Sequence, residues 1–181
     1  MKILFLPTKN IQPDIADRIR ENVNMNIPNT IILMTKEKLH FPEVSYSKAR
    51  QQYNSTQILN VIRNYADKNE AVDRVLGIVD VDIFVFGLKF VFGQAECPGK
   101  AALISLHRLR PEFYAKPPDN ELFIGRATKE AVHELGHTFG LAHCSNPFCA
   151  MYFSNSIFET DRKQDLFCSR CHSKAEKIVA A

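Results

Sequence analysis

The sequence lacks any apolar run approaching the roughly 20 residues that a membrane-spanning helix requires. It also lacks blocks of like charge: 23 Lys and Arg residues are interspersed with 20 Asp and Glu, for a formal net charge of +3. Membrane and nucleic-acid partners are therefore disfavoured, because both are usually recognised by concentrated positive charge. No internal repeat or low-complexity segment divides the 181 residues, which predicts one domain, 1–181, with its own hydrophobic core.

The N-terminus does not have the pattern of a secretory signal. Its apolar run, Ile3–Pro7, is too short, and polar residues follow at once. The segment is more typical of a first strand, so we expect a cytoplasmic protein. Five cysteines then need a role in a reducing compartment, where disulfides are disfavoured and metal binding is the usual alternative.

Hydrophobic periodicity predicts strands that alternate with helices, which indicates a three-layer α/β fold with one sheet between helices. The predicted strands are Lys2–Leu6, Thr30–Met34, Val75–Val85, Lys89–Ala95 and Ala101–Leu109. The predicted helices are Asp14–Val23, Ser47–Lys68, Asn120–Phe139 and a short one at Ser173–Val179. We expect residues 1–140 to form an N-terminal subdomain and residues 141–181 a cysteine-bearing C-terminal subdomain.

The segment HELGHTFGLAH, residues 133–143, has the spacing of a catalytic zinc site. His133 and His137 are four residues apart, so a helix places both on one face, where two imidazoles can bind one zinc ion. Glu134 is then placed to take a proton from a zinc-bound water. Gly140 can end the helix and turn the chain so that His143 becomes a third ligand. Three protein ligands leave one position open, as in catalytic rather than structural sites.

Four of the five cysteines predict a second zinc site. Cys144 and Cys149 form one pair, and Cys168 and Cys171 form a CxxC pair. Four thiolates close the coordination shell of zinc, so this site would be structural. The alternatives are four unrelated thiols or a nucleic-acid-binding zinc ribbon; the segment between the pairs is not strongly basic, which disfavours the ribbon. Because Cys144 directly follows His143, the second zinc would hold the segment that delivers the third histidine.

Together, HELGHTFGLAH, Cys144, Cys149, Met151 and the late CxxC resemble the archaemetzincins, a branch of the metzincin zinc peptidases. The resemblance implies a metzincin-like fold: a twisted mixed sheet with backing helices and an active-site helix below a cleft. It implies that Met151 is the Met-turn residue beneath the three histidines. It also implies that Lys89–Ala95 is an antiparallel edge strand over the cleft, to which an extended peptide could add by main-chain hydrogen bonds.

One position departs from the pattern of some other metzincins, which place a tyrosine two residues after the methionine. Here that residue is Phe153, and Tyr152 comes one residue early, so no catalytic tyrosine is assigned. A few other residues have weaker claims to a functional role, and an ordinary surface, loop or core position is the favoured interpretation for each: His40, Asp80, Asp82, Cys97, His107, Ser154 and His172.

The sequence therefore predicts a zinc-dependent metallopeptidase that acts on peptide or protein substrates and binds two zinc ions per chain. Glu134 is the predicted general base, and a monomer is expected. The alternative is a latent or non-catalytic zinc module that binds peptides or proteins. The sequence does not distinguish endopeptidase from aminopeptidase activity.

Overall fold

The computed structural model describes residues 1–180, so Ala181, the last residue of the predicted domain, lies outside the described part. In chain order the elements are β1 (Lys2–Pro7), α1 (Pro13–Asn26), β2 (Ile31–Met34), β3 (Tyr46–Ser47), β4 (Gln52–Asn54), α2 (Ser55–Lys68), β5 (Arg74–Val79), β6 (Ile83–Phe84), β7 (Gly93–Ala95), β8 (Ala101–Ser105), α3 (Asn120–Thr138), α4 (Ile157–Arg162) and α5 (Ser169–Val179).

The main sheet has five strands in the order β2-β1-β5-β8-β7. The first four are parallel, and β7 pairs with β8 in antiparallel register at the edge, with Gln94 opposite Leu103. A second, three-stranded sheet has the order β3-β4-β6. The mixed α/β architecture confirms the predicted fold class.

Helices cover both faces of the main sheet. On one face, Phe5, Ile78 and Ile104 belong to a buried cluster with residues of α1 and α3. On the other face, Val75 and Leu103 belong to a second cluster with residues of α2. Alternate residues of each strand thus face opposite layers, and strands β5 and β8 are apolar except for Arg74 and Ser105 at their ends, because both of their faces are buried.

Helix α2 begins eight residues later than predicted. The expectation of a helix from Ser47 is wrong because Asn54 caps the helix instead: its side chain accepts hydrogen bonds from the backbone N–H groups of Thr56 (3.0 Å) and Gln57 (3.3 Å). The preceding residues form the short strands β3 and β4.

Three predicted strands are too long. The segment Val75–Val85 divides into β5 and β6, which lie in different sheets. The division falls at Asp80 and Asp82, which lie between the two strands and form ion pairs with Arg110 and Arg108, respectively (2.6 Å each). The segment Ala101–Leu109 is a strand only to Ser105 and continues as a 3-10 helix at His107–Leu109.

The predicted edge strand Lys89–Ala95 is confirmed for Gly93–Ala95 and wrong for residues 89–92. There the N–H of Val91 donates to the carbonyl of Ile83 in the second sheet (3.1 Å), and only the carbonyl of Phe92 still accepts from β8, at Ser105 (2.8 Å). Helix α5 begins four residues earlier than predicted, and α4 was not predicted. Within residues 1–180, none of the helices combines the length and apolarity needed to cross a membrane.

Candidate active site and metal centres

Helix α3 carries the first half of the predicted zinc motif into the core. The Asp119 side chain caps its N-terminus by accepting a hydrogen bond from the N–H of Leu122 (3.0 Å). Its C-terminus closes at Gly140, whose φ of 79° lies in the left-handed region. There the N–H of Leu141 donates to the carbonyl of Gly136 (3.1 Å) and that of Gly140 to His137 (2.8 Å). This is the Schellman pattern, and it turns the chain back toward α3 as the sequence predicted.

The turn brings the three histidines of the motif together. One ring nitrogen from each of His133, His137 and His143 lies within 4.8 Å of the others. Nδ1 of His133 lies 2.7 Å from the carbonyl oxygen of Ala150, and Nδ1 of His137 lies 2.7 Å from that of Leu141. Because a carbonyl only accepts, each Nδ1 carries the proton, and each Nε2 is left with a free lone pair.

The geometry of this cluster fits a metal ion. The Nε2 atoms of His133 and His137 are 3.1 Å apart, so two lone pairs face one another with no proton between them. Two nitrogens on a tetrahedral zinc ion would be about 3.3 Å apart, given Zn–N bonds of about 2.0–2.1 Å. Burial lowers the pKa of His133, His137 and His143. The neutral form that a metal requires is therefore favoured.

Glu134 lies beside the histidines and against the edge strand. Its side chain is 5% exposed, and a Cβ atom on Gly93 would lie 2.6 Å from its Oε1, so only glycine permits this approach of β7 to α3. Burial, and secondarily the carboxylate of Glu130, raises the pKa of Glu134 well above its ordinary range. A carboxyl group with a raised pKa is suited to accept and return a proton near neutral pH.

The four cysteines of the second motif form a separate cluster. Their sulfur atoms lie within 4.8 Å of one another, and Cys144 and Cys168 Sγ are 3.9 Å apart. Two thiolates on a tetrahedral zinc ion would be about 3.8 Å apart, given Zn–S bonds of about 2.3 Å. Backbone N–H groups also point at the sulfurs: Asn146 donates to Cys144 (3.5 Å) and Cys168 to Cys149 (3.3 Å).

The ionisation of these thiols also suits a cation. Burial opposes ionisation of Cys144, but hydrogen bonds from the Asn146 N–H and the Arg170 guanidinium, with those of neighbouring thiols, lower its pKa to about 7. Burial and the neighbouring sulfurs raise the pKa of Cys149 and Cys171. The cluster therefore resists carrying several negative charges unless a cation balances them.

Met151 connects the two clusters. It is fully buried beneath α3, where its Sδ would lie 2.3 Å from a Cβ on Gly136. Its carbonyl accepts a hydrogen bond from the N–H of Cys144 (2.9 Å), the residue after the third histidine. The turn around Met151 is thus joined directly to the segment that carries His143.

An open cleft of about 360 Å³ passes over the histidines. Its walls include the edge strand β7, the side chain of Cys97 and the ring of Phe153, which also packs on His143 with ring centroids 4.8 Å apart. Behind Glu134 lies a smaller cavity of about 50 Å³ that has Glu130 in its lining. Sequence reasoning missed Glu130, although it lies one helical turn before Glu134, and it missed Gly93.

The remaining residues with weaker claims lie outside both clusters. His107 packs on Phe113 with ring centroids 5.4 Å apart, and His172 lies 3.6 Å from Glu176 on the same helix. Asp80 and Asp82 are paired with arginines, as described above. These placements give them structural contacts rather than a position in the cleft.

The profile of peptidase family M54 matches residues 1–177 of the chain. An archaemetzincin of Methanocaldococcus jannaschii is 41% identical over 176 residues, which cover 97% of this chain and 93% of that protein. The crystal structure of archaemetzincin from Methanopyrus kandleri superposes with a TM-score of 0.86 at 38% identity, covering 100% of this chain and 96% of that one. A zinc-dependent peptidase from Methanocorpusculum labreanum superposes with a TM-score of 0.86 at 26% identity, covering 97% of this chain and 100% of that one.

Proposed function

The chain belongs to peptidase family M54 and is a zinc metallopeptidase; on that premise we propose that it hydrolyses peptide bonds with His133, His137 and His143 as zinc ligands and Glu134 as the proton acceptor. The observation that supports this is the convergence of three histidine nitrogens within 4.8 Å at the floor of an open cleft, with the Glu134 carboxyl group beside them. A closed structural site would not face such a cleft.

His133, His137 and His143 would hold the zinc ion, which would supply Lewis-acid chemistry, the acidification of water and the polarisation of a carbonyl group. Glu134 takes the proton from the attacking water and delivers it to the leaving amine. The raised pKa of Glu134 suits both transfers, because the carboxyl group must hold the proton between them. The carbonyl oxygens of Ala150 and Leu141 fix the orientation of two imidazole rings.

We propose that the substrate lies along strand β7. The strand is at the edge of the main sheet, so one side of its backbone is available to pair with an extended peptide. Gly93 places this edge against Glu134, which would bring the paired peptide's carbonyl close to the proton acceptor. This pairing would require a peptide or protein substrate in an extended conformation.

A second, structural zinc ion at Cys144, Cys149, Cys168 and Cys171 completes the proposal. It would join residues 141–181 to helix α3. We propose that these residues form the C-terminal subdomain, and residues 1–140 the N-terminal subdomain, of one peptidase domain. We propose that Met151, buried beneath the histidines, has the Met-turn role, since its carbonyl also binds the N–H of Cys144.

The test compares the zinc-loaded protein with its Glu134→Ala variant on one diverse peptide library, with cleavage read by mass spectrometry. We expect cuts by the parent only, with equal zinc content in both proteins, because Glu134 is not a ligand. The cut positions would distinguish endopeptidase from aminopeptidase action. Equal cleavage by both proteins would contradict the role of Glu134, and no cleavage by either would favour a zinc-containing binding module.

A further inference from the structure

The small cavity behind Glu134 has an unusual base. Leu88, Phe90 and Phe92 form the apolar part of its walls, and its polar lining includes the carboxylate-bearing side chains of Glu130 and Glu134. Glu130 is 3% exposed and projects from α3 one turn before Glu134. An ionisable group as deeply buried as Glu130 is costly unless it is paired, so its partner decides the charge that an entering group would meet.

The partner of Glu130 is Lys163, which directly follows helix α4. Lys163 Nζ lies 3.0 Å from Glu130 Oε1, and the two side chains are 0% and 4% exposed. Thr160 of α4 also donates a hydrogen bond to the same oxygen (2.9 Å). Glu130 is therefore the member of the pair that lines the cavity, and Lys163 compensates its charge from behind, away from water.

The surroundings of the pair do not use all of its hydrogen-bonding capacity. Lys163 Nζ has no well-directed hydrogen-bond partner within residues 1–180, and neither has the buried Oγ of Ser154 in the cavity lining. A side chain that enters the cavity would meet the Glu130 carboxylate, with Lys163 directly behind it.

The size of the cavity limits what enters it. A buried water needs roughly 10–15 Å³ of such volume, so about 50 Å³ holds roughly four water-sized groups. That is the size of a side chain such as Val, Leu, Thr or Gln beyond its Cβ. The cavity is too small for an aromatic ring.

We propose that the Glu130–Lys163 ion pair makes this cavity select an uncharged substrate side chain of moderate size at one of the two residues that flank the cleaved bond. The inference rests on the proposed peptidase function. Because Lys163 compensates the Glu130 carboxylate, neither a cationic nor an anionic side chain gains a counter-charge from this pair, and each would lose its hydration. An apolar side chain fills the walls, and a polar uncharged one can bond the Ser154 hydroxyl.

The first experiment measures kcat/KM of the zinc-loaded parent on peptides from the library hit, varied at each flanking residue. Gln against Glu and Met against Lys compare charge at nearly constant size, and Leu against Phe compares size. At one of the two positions we expect Gln, Met and Leu to be cleaved at least about tenfold faster than Glu, Lys and Phe. Equal cleavage of charged and uncharged peptides at both positions would overturn the proposal.

Two variants then move the preference in opposite directions. Lys163→Met leaves Glu130 without its counter-charge, so Lys should become preferred over Met in the substrate. Glu130→Gln leaves Lys163 alone, so Glu should become preferred over Gln. The double variant Glu130→Gln/Lys163→Met has a neutral base and should return to the parent's preference. A single variant with an unpaired buried charge can fail to fold, so zinc content and Tm are measured first. An unchanged preference in the folded single variants would overturn the role of the ion pair, and if neither folds, the parent's scan still overturns the proposal when charged and uncharged peptides are cleaved equally.

The matched control is Glu121→Gln, the same substitution on the same helix at an exposed side chain. It should keep the parent's preference; a shift equal to that of Glu130→Gln would overturn the assignment. If the parent cleaves no peptide, the peptidase proposal fails on its own. The selectivity of the small cavity is then tested by the binding of the same peptides to zinc-loaded Glu134→Ala, measured by fluorescence anisotropy. Weaker binding of charged peptides supports the inference, and equal binding overturns it.

Discussion

Gly136, inside the HELGH segment, is needed for packing rather than for chemistry. It lies between Glu134 and His137 on the face of α3 that rests on Met151. A Cβ at this position would lie 2.3 Å from Met151 Sδ and 3.1 Å from the ring of Phe167. Only a residue without a side chain lets the buried methionine approach the helix between the zinc-binding histidines of the proposed site.

Gly136→Ala should therefore destabilise the protein although alanine favours helix. Overpacking a dense core costs about 1–3 kcal/mol, against a gain of up to about 1 kcal/mol in helix propensity. We expect the free energy of unfolding in urea to fall by about 1–2 kcal/mol. Gly125→Ala is the control on the same helix: nothing lies within 4 Å of the added Cβ, so stability should rise by up to about 1 kcal/mol. Equal effects of the two changes would contradict the packing argument.

At the scale of elements, the contact between α3 and α4 is polar and largely buried. Arg126 is 1% exposed and donates two hydrogen bonds to Asp161, at 2.6 and 2.7 Å. Lys129 donates to the last carbonyls of α4, at Thr160 and Asp161. These bonds place Lys163 at Glu130, so the short helix α4, which the sequence did not predict, positions the ion pair behind the small cavity.

Removing Asp161 should loosen this contact. Asp161→Ala leaves the Arg126 guanidinium buried without its carboxylate, and because Asp161 is partly exposed we expect a loss of about 3 kcal/mol, the low end for a broken buried pair. Glu121→Ala breaks the exposed pair with Arg18 and should cost less than about 1 kcal/mol. Chemical denaturation of both variants gives the comparison; similar losses would show that burial of the pair does not matter.

At the scale of the whole molecule, the two halves of the chain meet at consecutive residues. His143 belongs to the cluster in the cleft and Cys144 to the thiol cluster, and the N–H of Cys144 is bonded to Met151 beneath the helix. Any force that holds the cysteines together therefore also holds the third histidine. The sheet depends less on this link, because its central strands are buried between helices on both faces.

Cys168→Ser should consequently affect both of the proposed zinc sites. We expect the zinc content to fall from two ions per chain, a lower Tm, and weaker retention of the remaining zinc against a chelator. Hydrogen exchange should rise across residues 144–171 and remain slow in β1, β5 and β8. Cys97→Ser, outside the thiol cluster, should keep two zinc ions and the parent's Tm. Unchanged zinc and Tm in Cys168→Ser would contradict the structural site, and uniform exchange would contradict the link between the halves.

Local signals predicted much of the fold and the proposed ligands. The i, i+4 spacing of His133 and His137, the helix-ending Gly140 and the paired cysteines depend on helix geometry and ligand chemistry that act over a few residues. The strand boundaries depended on distant partners: Asp80 and Asp82 end β5 because arginines about 30 residues later bind them. The monomeric state and the cytoplasmic location stay predictions.

The sequence by itself determined that two histidines and a glutamate would share one end of a helix, because the helical repeat imposes that proximity wherever the helix lies, and that Gly140 could turn the chain to bring in the third histidine. Only the tertiary structure decided what surrounds them. The approach of Gly93 to Glu134 and the pairing of Glu130 with Lys163 join residues 41 and 33 positions apart. Such contacts follow from packing and burial of whole elements, for which no local pattern in the chain provides a signal.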